Sequence, residues 1–202
     1  MEILCFTVTP FAENCFVLVE GNEALVVDPG EAAPELLQAL SRYTVKTIAL
    51  THAHIDHVGG CAGVKAATGA ELVCHREAAP MLEAAPLQGR MFGMDVPPPP
   101  APDRFFDEGD TVNVGGVALK VVNCPGHAPG HVAFVGDGFI IGGDVLFAGS
   151  VGRTDLPGGS MDVLLNSIQT RFLSLPDDTK VYSGHGPVTT IGRERKTNPF
   201  LQ

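Results

Sequence analysis

Short apolar runs alternate with polar turns along this chain, and their spacing changes from strand-like to helical and back. Residues 3–9, 15–20 and 24–28 read as three strands, with Gly21-Asn22 as a turn between the last two. Asp28-Pro29-Gly30 ends the third. Residues 31–41 have helical spacing, with Leu36, Leu37 and Leu40 forming an apolar stripe. Residues 45–50 form a short apolar strand. A helix over 58–68 follows and stops near Gly69. Residues 71–74 are predicted as strand, 76–85 as helix and 88–103 as loop. Within that loop the run Pro97 to Pro100 excludes helix and central strand.

A second strand-rich stretch covers 111–114, 117–122, 132–135 and 139–141. Residues 161–172 then read as helix and 180–182 as a late strand, and a short helix begins near Gly192. Strands followed by mixed α/β occur twice, so the predicted class is α/β (α+β), two sheets covered outside by helices. There is no repeat at a solenoid period and no convincing linker, so residues 1–202 are expected to form one domain.

Composition narrows the partners. Hydrophobic residues are 45% and charged residues 18%, which permits a large core and argues against disorder. A formal charge of −10 opposes nucleic-acid binding through a basic surface. The densest basic cluster is Arg193-Glu194-Arg195-Lys196. No apolar run approaches a membrane span, and residues 1–6 lack the basic start and apolar stretch of a secretory signal. Five cysteines, an odd number without a C-x-x-C pair, suit reduced thiols in a cytoplasmic protein. Only Cys124 lies beside the candidate chemistry.

That chemistry is concentrated in Thr51-His52-Ala53-His54-Ile55-Asp56-His57-Val58-Gly59-Gly60. Three of the chain's 7 histidines and one aspartate occupy six positions, which chance clustering does not produce. Imidazole and carboxylate are ligands shared by Zn²⁺, Fe²⁺ and Mn²⁺. Residues two apart in extended chain point the same way, so His52 and His54 can grip one metal. Asp56 and His57 begin a helix and can face a second, with Gly59 and Gly60 permitting close backbone approach. Three Gly-rich turns after apolar strands offer further ligands: His127 or His131, then Asp144, then His185.

With these segments the chain resembles metallo-β-lactamase-fold hydrolases over nearly its whole length. The resemblance implies a four-layer αββα sandwich with its site at the sheet edges. It assigns His52, His54 and His127 to one metal, Asp56, His57 and His185 to a second, and Asp144 to a bridge between them. Asp56 and Asp144 thereby become the candidate catalytic residues. His131 is then expected beside the ligands rather than among them. Gly143 to Phe147, Gly152-Arg153-Thr154-Asp155, Ser183 to Pro187 and Asn198 to Leu201 resemble the glyoxalase II (hydroxyacylglutathione hydrolase) branch in a short bacterial form. Full-length members of that branch carry a helical C-terminal domain that grips glutathione. Here 15 residues follow Pro187, so that domain is expected to be absent.

The resemblance implies two divalent metals, zinc first with iron or manganese as alternatives. It also implies hydrolysis of S-lactoylglutathione or related hydroxyacyl thioesters through a metal-bridging hydroxide. Arg193, Arg195 and Lys196 are the candidate handles for glutathione carboxylates, and the segment Arg90 to Met94 is a candidate cover for the acyl side. The competing functions are a mononuclear iron persulfide dioxygenase, whose branch shares the Gly-Arg-Thr-Asp segment, and a lactonase or β-lactamase. A purely structural metal module is disfavoured, because a structural zinc site closes with four ligands.

Overall fold

The longest apolar runs become central strands buried on both faces, while outer strands are buried on one. Strand β2 (Glu13–Glu20) is buried over all but its last residue, between β1 (Glu2–Val8) and β3 (Glu23–Val27). In this computed structural model, which describes residues 1–202, the sheet continues through β4 (Thr44–Ala49), β5 (Glu71–His75) and β6 (Arg104–Phe106). A second six-stranded sheet contains β7 (Thr111–Val114), β8 (Val117–Asn123), β9 (Val132–Gly136), β10 (Phe139–Gly143), β13 (Lys180–Ser183) and β14 (Thr189–Thr190), in the order β14-β13-β10-β9-β8-β7. Between β10 and β13, β11 (Leu146–Phe147) and β12 (Ser150–Val151) form a separate ribbon.

Period-two alternation sorts the side chains into layers. Phe16, Leu18, Leu25 and Val27 face Leu119, Val121, Phe134 and Ile141 across the space between the sheets. Val17, Val19 and Val26 point the other way, toward Leu36, Leu40 and Val64. Those come from α1 (Pro34–Leu40) and α3 (Cys61–Thr68). On the far side, Ala133, Ile140 and Val181 pack on Leu164, Ile168, Phe172 and Ile191. Those residues lie in α6 (Met161–Ser167), the turn after it and α7 (Ile191–Thr197). The architecture is therefore the expected αββα sandwich.

Several boundaries differ from expectation, each for a local reason. The helix over 31–41 begins only at Pro34, which occupies its first turn where no donor is needed. The helix over 58–68 is two: α2 (Ile55–Val58) and α3, broken at Gly59-Gly60. A Cβ on Gly60 would lie 2.4 Å from the Glu31 carbonyl carbon, so close approach is required there, by the turn after β3 rather than by a metal. The helix over 76–85 is a 3₁₀ turn followed by α4 (Ala79–Glu83), and α5 (Ala85–Met91) occupies part of the expected loop, again opened by a proline. The 161–172 helix ends in a π turn over Ile168–Phe172, with Leu173 N–H donating to the Ile168 carbonyl. β6, β11, β12 and β14 are two or three residues long, too short for any period to reveal.

Strands β3, β4 and β5 are parallel, as are β10 and β13. Their C-terminal ends all reach one edge of the sandwich. There Val132 N–H donates to the Thr51 carbonyl and Asn14 N–H to the Gly184 carbonyl, tying the two sheets together.

Candidate metal centre

Asp28, His52, His54, Asp56, His57, His127, Asp144 and His185 converge at that edge. His52 and His54 follow β4 in extended chain, and Asp56 and His57 lie in α2. His127 follows β8, Asp144 follows β10 and His185 follows β13. Three groups have ligand atoms close enough to hold an ion: His52 with His54 and His127, Asp56 with His57 and His185, and Asp28 with His52 and His57, of which the last is held together by hydrogen bonds through Thr51 and to His57. Asp144 stands between the first two. Its Oδ2 is 3.6 Å from His127 Nε2 and 3.5 Å from His185 Nε2, and its Oδ1 is 3.5 Å from His57 Nε2. Donors about 2.0–2.1 Å from a tetrahedral metal lie about 3.3–3.5 Å from one another, so these spacings suit ligands rather than ion pairs. His185 Nε2 is 3.2 Å from Asp56 Oδ2 in the second group.

Outer hydrogen bonds decide which ring nitrogen is bare. Asp28 Oδ1 accepts from Thr51 N–H at 2.7 Å, and Oδ2 accepts from the Thr51 hydroxyl. The same Oδ2 lies 3.1 Å from His57 Nδ1. A carboxylate only accepts, so His57 Nδ1 carries the proton and Nε2 keeps its lone pair. With the Thr51 proton committed to Asp28, His52 Nδ1 donates to Thr51 Oγ1 at 3.0 Å, leaving its Nε2 bare as well. His127 Nδ1 donates to the Arg153 carbonyl at 2.8 Å. His52 Nε2, His57 Nε2 and Asp144 Oδ1 are buried without a hydrogen-bond partner, and His54 Nδ1 faces His127 Nε2 at 2.8 Å. Orphaned buried acceptors of this kind are costly. Their convergence is what a cation-binding site requires, so the donor set fits divalent metal.

Electrostatics separate the first two groups. Against the effect of burial, Asp144 and Asp28 raise His57 well up, and Asp56 and Asp144 raise His185, whereas the rings of the first group are lowered. Burial, followed by the neighbouring His127, lowers His54 to about 4. Burial likewise drives His52 well down, and His127 is lowered for the same first reason. These rings are neutral near pH 7, the form that binds metal. Burial disfavours the charged form of Asp144 too, but His57, His127 and His185 hold its carboxyl below the usual carboxylate range.

Two glycines keep the centre compact. A Cβ on Gly184 would lie 2.3 Å from Asp144 Oδ1 and 2.7 Å from the His57 ring. Gly143 adopts φ +51°, and its Cβ would meet Thr51 Oγ1 at 2.4 Å.

His131 lies outside all three groups. Its ring stacks on His52 with centroids 4.8 Å apart, and its Nε2 accepts from Asp144 N–H at 3.1 Å. Its Nδ1 lies 3.4 Å from Cys124 Sγ. Burial raises the Cys124 thiol, which is no nucleophile in that setting. All five cysteines are free. His75 ends β5 and accepts from Glu77 N–H at 3.2 Å, a capping role.

The basic cluster is placed elsewhere. Arg195 pairs with Asp177 and donates to the Leu173 and Leu175 carbonyls. Arg193 borders a separate surface groove with Lys180 and Tyr182, and Lys196 is exposed. None of the three lines the cavity over the metal groups, because α7 packs behind the second sheet. Glu194, between them, is fully buried and accepts from Gly149 N–H, Thr189 Oγ1 and Asn198 Nδ2, bracing the turn between β11 and β12. The guanidinium of Arg153 makes two 2.7 Å bonds to Asp155 at the surface, while its carbonyl holds His127.

Sequence reasoning missed Asp28 and Glu13. Asp28 carries nearly the signal that exposed Asp144: an acid directly after an apolar strand with glycine within two residues of it. Glu13 carries no such signal. It is fully buried, neither carboxyl oxygen has a hydrogen-bond partner, and His57 Nδ1 is 3.8 Å away. Burial pushes its carboxyl well up. A raised acid makes folding less favourable as pH climbs above the ordinary carboxyl range, and the penalty is absent below it. Glu13→Met is therefore expected to stabilise the metal-free protein by about 1–3 kcal/mol at neutral pH and little at acid pH. Chemical denaturation at both pH values checks this, and unchanged or lower stability at neutral pH would reveal a partner for the carboxyl.

The family model described as the metallo-beta-lactamase superfamily matches residues 8–185. The chain belongs to that superfamily. "Hydroxyacylglutathione hydrolase GloC" of Haemophilus influenzae is 38% identical over 208 residues, covering 100% of this chain and 98% of that one. "Probable metallo-hydrolase YqgX" of Bacillus subtilis is 38% identical, covering 96% and 94%. Among solved structures, BLEG-1 B3 metallo-beta-lactamase superposes with a TM-score of 0.93 at 36% identity, covering both chains fully. TTHA1623 in a di-iron-bound form gives 0.89 at 41%, covering 98% of this chain and 100% of that chain. ETHE1 from Myxococcus xanthus is more distant, at 0.80 and 25%, covering 98% and 84%. No helix of the superfamily member described here is long and apolar enough to cross a membrane.

Proposed function

We propose that this protein is a binuclear metal-dependent hydrolase of acyl thioesters, acting on hydroxyacylglutathione-like substrates. The observation that carries it is the position of Asp144, whose Oδ2 is equally near the imidazoles of the two ligand groups. His52, His54 and His127 would hold one ion and Asp56, His57 and His185 the other, with Asp144 placed to reach both. Imidazole-rich donors with two or three carboxylate oxygens suit zinc, iron and manganese, and affinity order favours zinc. The di-iron form of TTHA1623 supports a two-ion site in this scaffold. The similarity to GloC supports glutathione thioesters.

When bound, a divalent pair supplies Lewis acidity and brings the pKa of a water at the site toward 7. The chain's own groups do the rest. Asp28 and Thr51 fix the tautomers of His57 and His52, and the Arg153 carbonyl fixes His127. Asp56, which lines the cavity beside His185, would accept a hydrogen bond from the attacking water and set its direction. The cavity above, about 820 Å³, holds the substrate carbonyl over a floor of His54, Asp56, His127, Asp144 and His185.

Elemental analysis and turnover of S-lactoylglutathione on one preparation test the proposal. Two metals per chain with thioester cleavage are expected. One metal per chain at full activity overturns the binuclear mechanism. Oxygen uptake with glutathione persulfide, or β-lactam cleavage, without thioester turnover replaces it by another chemistry.

A further inference from the structure

Metal binding does not account for the large apolar side chains at the cavity. Met91 is 77% exposed, Phe92 51% and Phe11 40%, and all three line it. Apolar groups left in water around a cavity mark ligand contact. Phe11 and Phe92 meet edge to face with centroids 5.4 Å apart, although one lies at the β1–β2 hairpin tip and the other ends α5. The tip is built to present Phe11. Thr9 and Ala12 flank it at φ 61° and 55°, a left-handed conformation unfavourable for non-glycine residues. Phe11 N–H donates to Thr9 Oγ1 at 3.2 Å, and Thr9 N–H to Glu31 Oε2 at 3.3 Å. Strained backbone held this way fixes a side chain in place.

The cavity has two unlike walls. One consists of Ile55, Met81, Ala84, Met91, Phe92 and Phe11. The other carries the charged residues Glu77 and Arg153 beside Pro129 and Gly158, with Phe147, Val151, Leu156 and Pro157 among them. Gly158 packs on the Pro129 ring, and Gly130 on the Glu77 backbone, so these residues form a contiguous side.

We propose that the apolar wall is an acyl pocket. It selects thioesters whose acyl group is an apolar chain of about four to eight carbons, laid beneath the Phe11–Phe92 contact, with the thiol carrier along the Glu77–Arg153 side. This deepens the thioester reading and rests on it. Met81 and Met91 are unbranched and polarisable and adapt to chains of different shape. The carrier meets Leu156, Pro157, one acid and one arginine already paired with Asp155, so its polar groups find few free partners and discrimination falls on the acyl group.

The test is kcat/KM for acetyl-, butyryl- and hexanoylglutathione with metal-replete enzyme. A rise of about fourfold per buried methylene is expected, with a flatter slope in Phe92→Ser. Loss of metal or of folded protein scales all three substrates alike and leaves the slope unchanged. Calorimetry with S-methyl- and S-hexylglutathione reads the same preference without turnover, and the hexyl compound should bind more tightly. Turnover with a flat or falling slope overturns the acyl pocket and spares thioester hydrolysis. A steep slope that Phe92→Ser leaves intact overturns the assignment of this wall. No turnover of any thioester, with equal binding of both thioethers, overturns both readings.

Discussion

Asp144→Ala is expected to lower thioester turnover by roughly two to three orders of magnitude and to leave the protein short of metal. Asp144 is the carboxylate shared between the two imidazole groups, 3.5–3.6 Å from His57, His127 and His185. Removing it leaves three imidazoles without their common anionic neighbour and strips negative charge from between two cations. Because His131 bonds the Asp144 backbone N–H rather than its side chain, the loop after β10 keeps its anchor in the variant. Loss of rate therefore reports the carboxylate and not a displaced loop. Cys124→Ala, assayed beside it, should keep its metal and most of its turnover. Its thiol is fully buried and raised by that burial. A Cys124→Ala protein that is folded, metallated and inactive would falsify attack by water and require a thiol nucleophile. Metal content by elemental analysis and kcat on S-lactoylglutathione are the paired measurements.

The second large effect is expected from Asp28→Asn, at a residue that touches no substrate. Asparagine retains the shape and an acceptor for Thr51 N–H, but it presents an amide N–H₂ where Asp28 Oδ2 now accepts from Thr51 and His57. Facing a donor, His57 Nδ1 must become the acceptor, and the ring proton moves to Nε2, the nitrogen aimed at Asp144. That tautomer cannot ligate through Nε2. Metal affinity at the Asp56–His57–His185 group should fall about 10–100-fold, the usual cost of losing an outer partner. The His52 group should weaken as well, because the Thr51 hydroxyl loses its acceptor on Asp28 and can turn its proton to His52 Nδ1. Titration with a competing chelator separates the two. Unchanged affinity for both ions would show that Asp28 does not act through the ring tautomers. Asp28→Ala is the harsher control. It also orphans Thr51 N–H, which costs about 1–3 kcal/mol of stability on its own, so a lowered melting temperature is expected there and not for asparagine.

The cluster of His52, His54, Asp56 and His57 was legible because its residues are neighbours in the chain, and two-residue spacing on extended backbone already fixes the common direction of the first two. The αββα layering was legible for a similar reason. Strands such as Cys15 to Val19 are apolar at consecutive positions, which only a sheet covered on both faces can bury. His127, Asp144 and His185 were visible as polar residues in glycine turns after apolar strands. Which of His127 and His131 faces the ligands was not decided by the residues themselves. It depends on the Arg153 carbonyl reaching His127 and the Asp144 amide reaching His131.

What only the tertiary structure decided follows the same division. Asp28 and His57 are 29 residues apart, and Glu13 is fully buried and brought beside His185 across the sandwich. Arg193 and Arg195 looked like substrate handles by composition, yet α7 lies behind the second sheet and Arg195 is bound to Asp177 and two carbonyls. The exposed rim of Phe11, Met91 and Phe92 joins a hairpin tip to a helix end. Local sequence determines backbone period and the ligands that share one turn. Contacts between distant segments depend on how the layers stack, and no short-range pattern encodes that.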